Sequence, residues 1–496
     1  MSYGFKQTAH PVRSDVYIVN ASLSSLLIQQ ERKDPERIYL CGQFGQVSYG
    51  YTLKLVRQLG QLLALSRRIA GKRSVGISTE TPEYVAYTVW ATIFADISIV
   101  FLPLCRNPDV MRRAMKEVSV EVLVTDEPVL LQEPWCLDLK DMLRRVLSGS
   151  SQLGTSAKAL PTSSCESDAG FIFQTSGTAG EPKWVQCEYR KFFNVIDCML
   201  HSGILDHARG QSVFLTPPLY HSYGLSAFLE YTSTGSTIIF PQGKSPLGPV
   251  GDLGDPGLRD AVTAIEGVPY FYSQLSKLAD RFKMPALNHF GLGGGRLDNI
   301  AFARLREAYP ASTVSMRYGM TETPSVVSHK LFRPPFREDW RSSGHVLPVY
   351  NVRIVDGTGR VMDRNQEGEI MVSGDCVGTY LGQSGSHLLT GDTGYITDSN
   401  ELVINGRKSI FIKNRGFRVS PEWVESVITS FNGIKDCRVL MIDSRLVAEV
   451  VYDDSISHRD ILAFMSTRLP GYATADEVVR VESVPRTPSG KVKRDH

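Results

Sequence analysis

The stretch Phe173-Gln174-Thr175-Ser176-Gly177-Thr178-Ala179-Gly180-Glu181-Pro182-Lys183 crowds hydroxyls and glycines into one short loop and ends it on a lysine. Backbone N–H groups and hydroxyls at that density suit a single bound anion, and a phosphate fits best. Ala169-Gly170-Phe171-Ile172-Phe173 reads as the end of a buried strand that delivers the loop. It is not a Walker A loop, because Lys183 follows Pro182 and precedes Trp184 where Gly-Lys-Ser/Thr would be required. Taken alone, such a loop is also compatible with a flexible surface turn.

Other stretches carry complementary chemistry. In Arg317-Tyr318-Gly319-Met320-Thr321-Glu322-Thr323, Tyr318 can stack on a base, Thr321 can donate to a phosphate and Glu322 can hold magnesium, which favours carboxylate and phosphate oxygens together. In Thr390-Gly391-Asp392-Thr393-Gly394, the carboxylate can accept both hydroxyls of a ribose. Phe290-Gly291-Leu292-Gly293-Gly294-Gly295 ends a strand in bare backbone that a flat ring can approach. Pro217-Pro218 breaks a strand and leaves Tyr220, His221 and Tyr223 at the entrance of a helix. Gly267-Val268-Pro269-Tyr270-Phe271 is an aromatic turn opening another helix. Near the C-terminus, Pro488-Ser489-Gly490-Lys491 reads as a mobile arm bearing one lysine. Each has a plain structural counterpart: a packed histidine, a tight turn, an Asx turn or a frayed basic tail.

Positioning these residues requires alternating elements. Helical periodicity over 53–70, a helix over 82–95 and another over 109–118 alternate with strands at 74–78, 98–101 and 120–124. That alternation predicts a mostly parallel sheet covered on both faces. The apolar run 84–104 mimics a membrane span, but Asp96 interrupts it and Pro103 closes it. Residues 147–167 form a polar connection, and residues before 40 carry no motif. Strands over 352–373 read as antiparallel, joined at turns. With 496 residues, more than one core is expected. The predicted architecture is α/β: a large N-terminal domain (1–405) with mostly parallel sheets covered by helices plus a small β-rich subdomain, then a small mobile α+β C-terminal domain (406–496). A net charge of +2 gives no sign of nucleic acid or a membrane surface as the main partner, and neither a nucleic-acid partner nor a membrane span is expected. Eight cysteines without a C-x-x-C pair argue against zinc and for a reducing, cytoplasmic setting. No basic-then-apolar leader opens the chain.

Five motifs in order resemble the acyl-adenylate-forming enzymes: acyl- and aryl-CoA ligases, nonribosomal peptide synthetase adenylation domains and luciferase-like enzymes. They are the hydroxyl–glycine loop, Tyr-Gly-Met-Thr-Glu-Thr from Tyr318, Thr-Gly-Asp-Thr-Gly from Thr390, Gly-Arg-x-x-x-x-Ile-Lys-x-x-Gly from Gly406, and Pro-Ser-Gly-Lys-Val-x-Arg from Pro488. The resemblance implies that Thr175, Ser176, Gly177, Thr178 and Lys183 hold the ATP β- and γ-phosphates. Tyr318, Gly319, Gly294 and Gly295 would frame adenine, Asp392 and Arg407 the ribose, and Thr321 the α-phosphate. Glu322 would hold magnesium, Lys491 would bridge the substrate carboxylate and the α-phosphate, and His221 joins them as a catalytic candidate. Tyr220, His221, Tyr223, Tyr270, Phe271 and Gly293 would line the acyl pocket, Ser409 would be the hinge, and Gly416 would line the pantetheine tunnel.

The implied reaction joins a carboxylic acid to ATP and then to a phosphopantetheine thiol of CoA or a holo acyl carrier protein. Two departures from the family pattern bear on detail: Ser409 replaces the usual Asp or Lys at the hinge, and Trp184 replaces a common Gly after Lys183. His221 stands where amino-acid-activating domains carry an aspartate; a buried ammonium without a carboxylate is costly, so an acid without an α-amino group is expected. The aromatics suggest an aryl or modest apolar acyl group, and the end of the chain at His496 suggests a freestanding enzyme. Alternative readings are an amino-acid adenylating loading enzyme of a nonribosomal peptide or polyketide pathway, β-amino acids included, and a non-catalytic acyl- or nucleotide-binding regulator on the same fold.

Overall fold

The computed structural model describes residues 22–65, 74–148, 167–175, 183–243, 248–295, 297, 299–336, 342–381, 387–407, 412–415, 417–419 and 421–485. Ser176, Gly177, Thr178, Ser409, Gly416 and Lys491 lie outside the described residues.

Two large sheets make up the first part of the chain. In the seven-stranded sheet, Gly170–Thr175, Ser98–Phe101, Ser74–Ser78, Leu123–Thr125 and Cys136–Asp138 run parallel in that order. These strands read as short continuous apolar runs because both faces are covered. The helix Pro82–Ala95 starts on a proline at its first turn and is buried at every later position. Asp96, at φ 56°, takes the left-handed conformation that stops it, and the strand Ser98–Phe101 follows. The apolar run is therefore a core helix and strand; among the described residues no helix is long and apolar enough to cross a membrane.

The thirteen-stranded sheet has a parallel half built from Ile38–Gly42, Thr237–Ile239, Ser212–Leu215, Ala264–Gly267, His289–Leu292 and Thr313–Tyr318. The antiparallel β-rich part joins it edge to edge, because Ser328–Phe332 pairs with Thr313–Tyr318. The last strand of that part, Glu401–Arg407, keeps register to Arg407, two residues past the expected boundary. The helix Leu23–Lys33 and strand Ile38–Gly42 occupy a stretch that carries no motif.

The C-terminal part has its own core of Val424, Ile428, Val439, Leu446, Val450, Ile461 and Met465. It packs the helices Pro421–Thr429 and His458–Ser466 on the sheet Ile434–Ile442, Arg445–Tyr452, Glu477–Arg480. Ser457 and Asp460 close a reciprocal capping box at the start of the second helix. A short hairpin, Ile412–Asn414 with Phe417–Val419, faces the first part.

Candidate active site

Strand ends create the site. Gly170–Thr175 runs to Thr175, and Lys183–Glu188 returns antiparallel with Thr175 opposite Lys183. The Thr175 hydroxyl donates to the Lys183 carbonyl at 3.2 Å. The Lys183 ammonium lies 5.3 Å over the ring of Tyr380, whose hydroxyl donates to Glu322 Oε1 at 2.7 Å. Lysine, tyrosine and carboxylate thus form one wall, although they lie far apart in sequence.

Thr321 and Glu322 sit in the turn after Thr313–Tyr318. Gly319 makes that turn possible: a Cβ there would lie 1.7 Å from the Ser325 carbonyl oxygen. The turn is held from behind, where the Cys187 thiol donates to the Thr321 carbonyl at 3.3 Å and Gly378 N–H donates to the Glu322 carbonyl at 2.7 Å. The Ser222 and Thr321 hydroxyls are 3.2 Å apart. The Tyr318 hydroxyl donates to Asp392 Oδ2 at 2.9 Å, and Asp392 pairs in register with Arg407. The structure therefore brings together Thr175, Lys183, Tyr318, Gly319, Thr321, Glu322 and Asp392, with Gly293 and Gly294 opposite them.

Two cavities meet at the junction of the two parts. One, of about 180 Å³, is lined by Thr175, His221, Gly294, Thr321, Glu322 and Phe417 among others. The second, of about 300 Å³, runs between Leu102, Leu104 and Tyr220 on one side and Pro470, Gly471 and Tyr472 on the other. Phe417 lines both. Its ring stacks on Tyr472 at 3.9 Å and 5°, and meets His221 edge-on at 4.5 Å. The Lys413 ammonium donates to the Gly294 carbonyl at 2.7 Å across the same junction. Sequence reasoning gave no role to Lys413, Phe417, Tyr472 and Tyr380; Lys413 is the lysine of the Gly-Arg-x-x-x-x-Ile-Lys-x-x-Gly motif and Phe417 follows its last glycine, whereas Tyr380 and Tyr472 carry no local signal.

The expected acyl pocket is not assembled as read. Tyr270 is 42% exposed, and Phe271 is buried in the core against Phe214; neither lines the two junction cavities. Tyr220 faces the second cavity rather than the first. Tyr223 and Gly293 do line the first, but Tyr223 forms its floor, with its hydroxyl donating to Glu266 Oε2 at 2.7 Å. The physical reason is helical phase: adjacent residues on a helix point about 100° apart, so consecutive aromatics do not share a wall.

Beneath the cleft lies a buried ion cluster. The Arg317 guanidinium donates to Glu230 at 2.6 Å and to Glu266 at 2.9 Å, with all three side chains at most 2% exposed. Burial raises the pKa of Glu266, partly offset by the Arg317 charge and the hydrogen bond from Tyr223. Burial opposes the charge on Arg317, but Glu230 and Glu266 outweigh it and raise its pKa. Such a cluster is strongly destabilising to break, because one charge is left alone in low dielectric.

Beside it, His207 stands between His289 and His329, with ring centroids at 4.1 and 5.9 Å. Nε2 of His289 and Nε2 of His329 have no hydrogen-bond partner. Burial, then the Arg317 charge, pushes His207 down to about 4 from 6.5; burial and neighbouring cations push His289 and His329 well down too. Because the folded pKa is lowered, the unfolded chain takes up protons first as the pH falls. Stability is therefore full above about 6.5 and is lost as the pH falls through about 4, at up to ~1.4 kcal/mol per histidine per pH unit. Urea midpoints should fall steadily over that window and fall less steeply in His207→Gln; equal slopes would refute the assignment.

The AMP-binding enzyme model matches residues 27–380, and the AMP-binding enzyme C-terminal domain model matches residues 423–491. The chain belongs to the AMP-binding enzymes. It is 30% identical over 358 residues to the acyl-CoA ligase ppsA of Aspergillus oryzae, covering 65% of this chain and 61% of that one. It is 25% identical over 456 residues to 4-coumarate–CoA ligase 3 of Oryza sativa, covering 86% and 78%. Gramicidin S synthase 2 of Aneurinibacillus migulanus is 22% identical over 504 residues; the match spans 96% of this AMP-binding enzyme but 11% of the synthase. Among solved structures, a double mutant of o-succinylbenzoate CoA synthetase from Bacillus subtilis with a CoA product analogue superposes with a TM-score of 0.77 at 24% identity, covering 95% of this chain and 97% of that one. The same enzyme with ATP and magnesium superposes at 0.62, also at 24% identity, covering 94% and 98%. The fold is that of adenylate-forming enzymes.

Proposed function

We propose that this AMP-binding enzyme activates a carboxylic acid with ATP and magnesium and passes the acyl group to the phosphopantetheine thiol of CoA or a holo acyl carrier protein. The observation that carries the reading is the convergence of Thr175, Lys183, Thr321 and Glu322 on one wall of a cleft whose far side is a hairpin from the small C-terminal part. A carboxylate oxygen attacks the α-phosphorus in line, the bond to the bridging oxygen breaks, and pyrophosphate leaves. The acid is already ionised at neutral pH, so no general base is required. Catalysis is placement and charge neutralisation. Lys183 and Thr175 would seat the outer phosphates and Thr321 the α-phosphate, while Tyr318 and Asp392 would hold the nucleoside end and Lys491 would bridge the two reactants.

Glu322 fits a magnesium site: one carboxylate, steadied by Tyr380, suits an ion that takes its remaining ligands from phosphates and water. Magnesium would neutralise phosphate charge there. Relatives with ATP and magnesium, and with an acyl-adenylate, support these assignments. Glu322→Ala should raise the magnesium concentration giving half-maximal rate by about tenfold or more, since losing even a partner that only orients a metal ligand costs that much; an unchanged requirement would put the metal elsewhere.

The thiol step is supported by the arrangement of the two parts. They superpose better on the relative bound to a CoA product analogue than on the same relative bound to ATP, and Phe417 and Tyr472 line a second cavity leading to the cleft. Two half-reactions in one cleft need a small unit that turns between them. The decisive experiment is acid-dependent pyrophosphate release from ATP, with the adenylate trapped as a hydroxamate. Absence of both across a broad acid panel would end this reading.

A further inference from the structure

We infer that Tyr380 is a positioning residue: it keeps the Lys183 ammonium and the Glu322 carboxylate apart, so that one stays available to phosphate and the other to magnesium. The inference rests on the reading above, which gives phosphate to Lys183 and the metal to Glu322. Sheet register brings the three together. The short strand Thr379–Tyr380 pairs antiparallel with Lys183–Glu188, with Tyr380 opposite Val185. Side chains alternate along a strand, so Lys183, two residues before Val185, lies on the face that Tyr380 occupies and is its diagonal neighbour. That places the ammonium 5.3 Å from the ring centroid. The same segment reaches the catalytic turn on its other side: Gly378 N–H donates to the Glu322 carbonyl, and the Tyr380 hydroxyl donates to Glu322 Oε1 at 2.7 Å. The segment is firmly held. Leu381 N–H donates to the Trp184 carbonyl at 2.9 Å, and the buried Lys191 ammonium donates to the Val377 carbonyl at 2.9 Å. A Cβ on Gly378 would lie 2.6 Å from the Cys187 sulfur, so strand and turn close on this backbone without slack.

The proposed chemistry needs these two charges separate. Among the described residues no ion pair joins Lys183 to Glu322; the cation meets the face of a neutral ring and the anion meets its hydroxyl. A direct pair would neutralise both groups before any nucleotide arrived. The ring face attracts a cation weakly, and the hydroxyl engages one carboxylate oxygen, so each charge is oriented and still open to a ligand.

Binding of ATP in EDTA, followed by calorimetry, reads the lysine side without the metal. Tyr380→Leu removes ring and hydroxyl and should weaken that binding about threefold to fivefold, the scale of a partly exposed ion pair. Adding Glu322→Gln removes the competing charge. It should tighten binding about threefold more in the Tyr380→Leu protein than in the protein that keeps Tyr380. Equal gains in both backgrounds would overturn the inference. Tyr380→Phe keeps the ring. It should leave metal-free ATP binding within about twofold of the unaltered enzyme, yet raise the magnesium concentration for half-maximal pyrophosphate release about tenfold, as loss of a group that orients a metal ligand does. An unchanged magnesium requirement, or ATP binding weakened as much as in Tyr380→Leu, would also overturn it. Should Tyr380→Leu fail to fold, the two Tyr380→Phe readings decide alone. An enzyme that binds ATP and shows the Glu322→Gln coupling, but releases no pyrophosphate with any acid, would overturn acid activation and leave this role of Tyr380 standing.

Discussion

Gly319→Ala should lower kcat/KM for adenylation by at least about a hundredfold, the scale set by ångström-level misplacement of reacting groups. The added methyl would lie 1.7 Å from the Ser325 carbonyl oxygen and 2.4 Å from its carbon, and both are backbone atoms with no rotamer to change. Relief requires the whole turn to shift, and Thr321 and Glu322 ride on it. Their carbonyls are tied from behind by Cys187 and Gly378, so the turn cannot move without losing one of those bonds. The substitution should therefore depress the rate for every acid equally, because it acts on the turn proposed to hold phosphate and metal and not on the acyl group. Steady-state kinetics with two acids of different size would check this; a loss confined to one of them would refute it.

The second large effect is a split between half-reactions. Lys491→Ala should reduce acyl-adenylate formation by about a hundredfold to a thousandfold, the usual cost of removing a group that stabilises transition-state charge. Thiol transfer from acyl-adenylate supplied ready-made should be largely retained. Phe417→Ala should do the reverse. Its ring lines both cavities and stacks on Tyr472, so its loss should slow thioester formation about tenfold or more while adenylation persists. Single-turnover measurement of each step separates the two. Equal losses in both steps for either variant would mean that the small domain does not divide the work this way.

What could be read in the chain depended on whether its cause was local. The helix Pro82–Ala95 and strand Ser98–Phe101 were legible because proline, Asp96 and the apolar run are all local signals. The residues proposed to face phosphate stood out because hydroxyls, glycines and a carboxylate occur together within a few positions. The helix Leu23–Lys33 escaped notice although Leu23, Leu26, Leu27 and Gln30 are buried at helical spacing. The buried ion cluster beneath the cleft had no such signature. Arg317 finds Glu230 and Glu266 across 87 and 51 residues, and only the parallel order of the strands puts them together. Aromatic content near the cleft predicted an aryl pocket, but a residue type does not reveal which side of a helix it occupies, and Tyr270 and Phe271 fell outside the cleft.

The ammonium of Lys413 on the Gly294 carbonyl is one bond of a kind worth about 1 kcal/mol net, or somewhat more for a charged donor. The Phe417 edge against His221 adds an increment of similar size. If the small domain turns as proposed, a latch made from such small pieces would yield to thermal motion yet bias that domain toward one face. Because Lys413 grips the same glycine backbone that nucleotide binding would require, an arriving ATP would compete with the latch directly, and filling the cleft would itself unlock the swing.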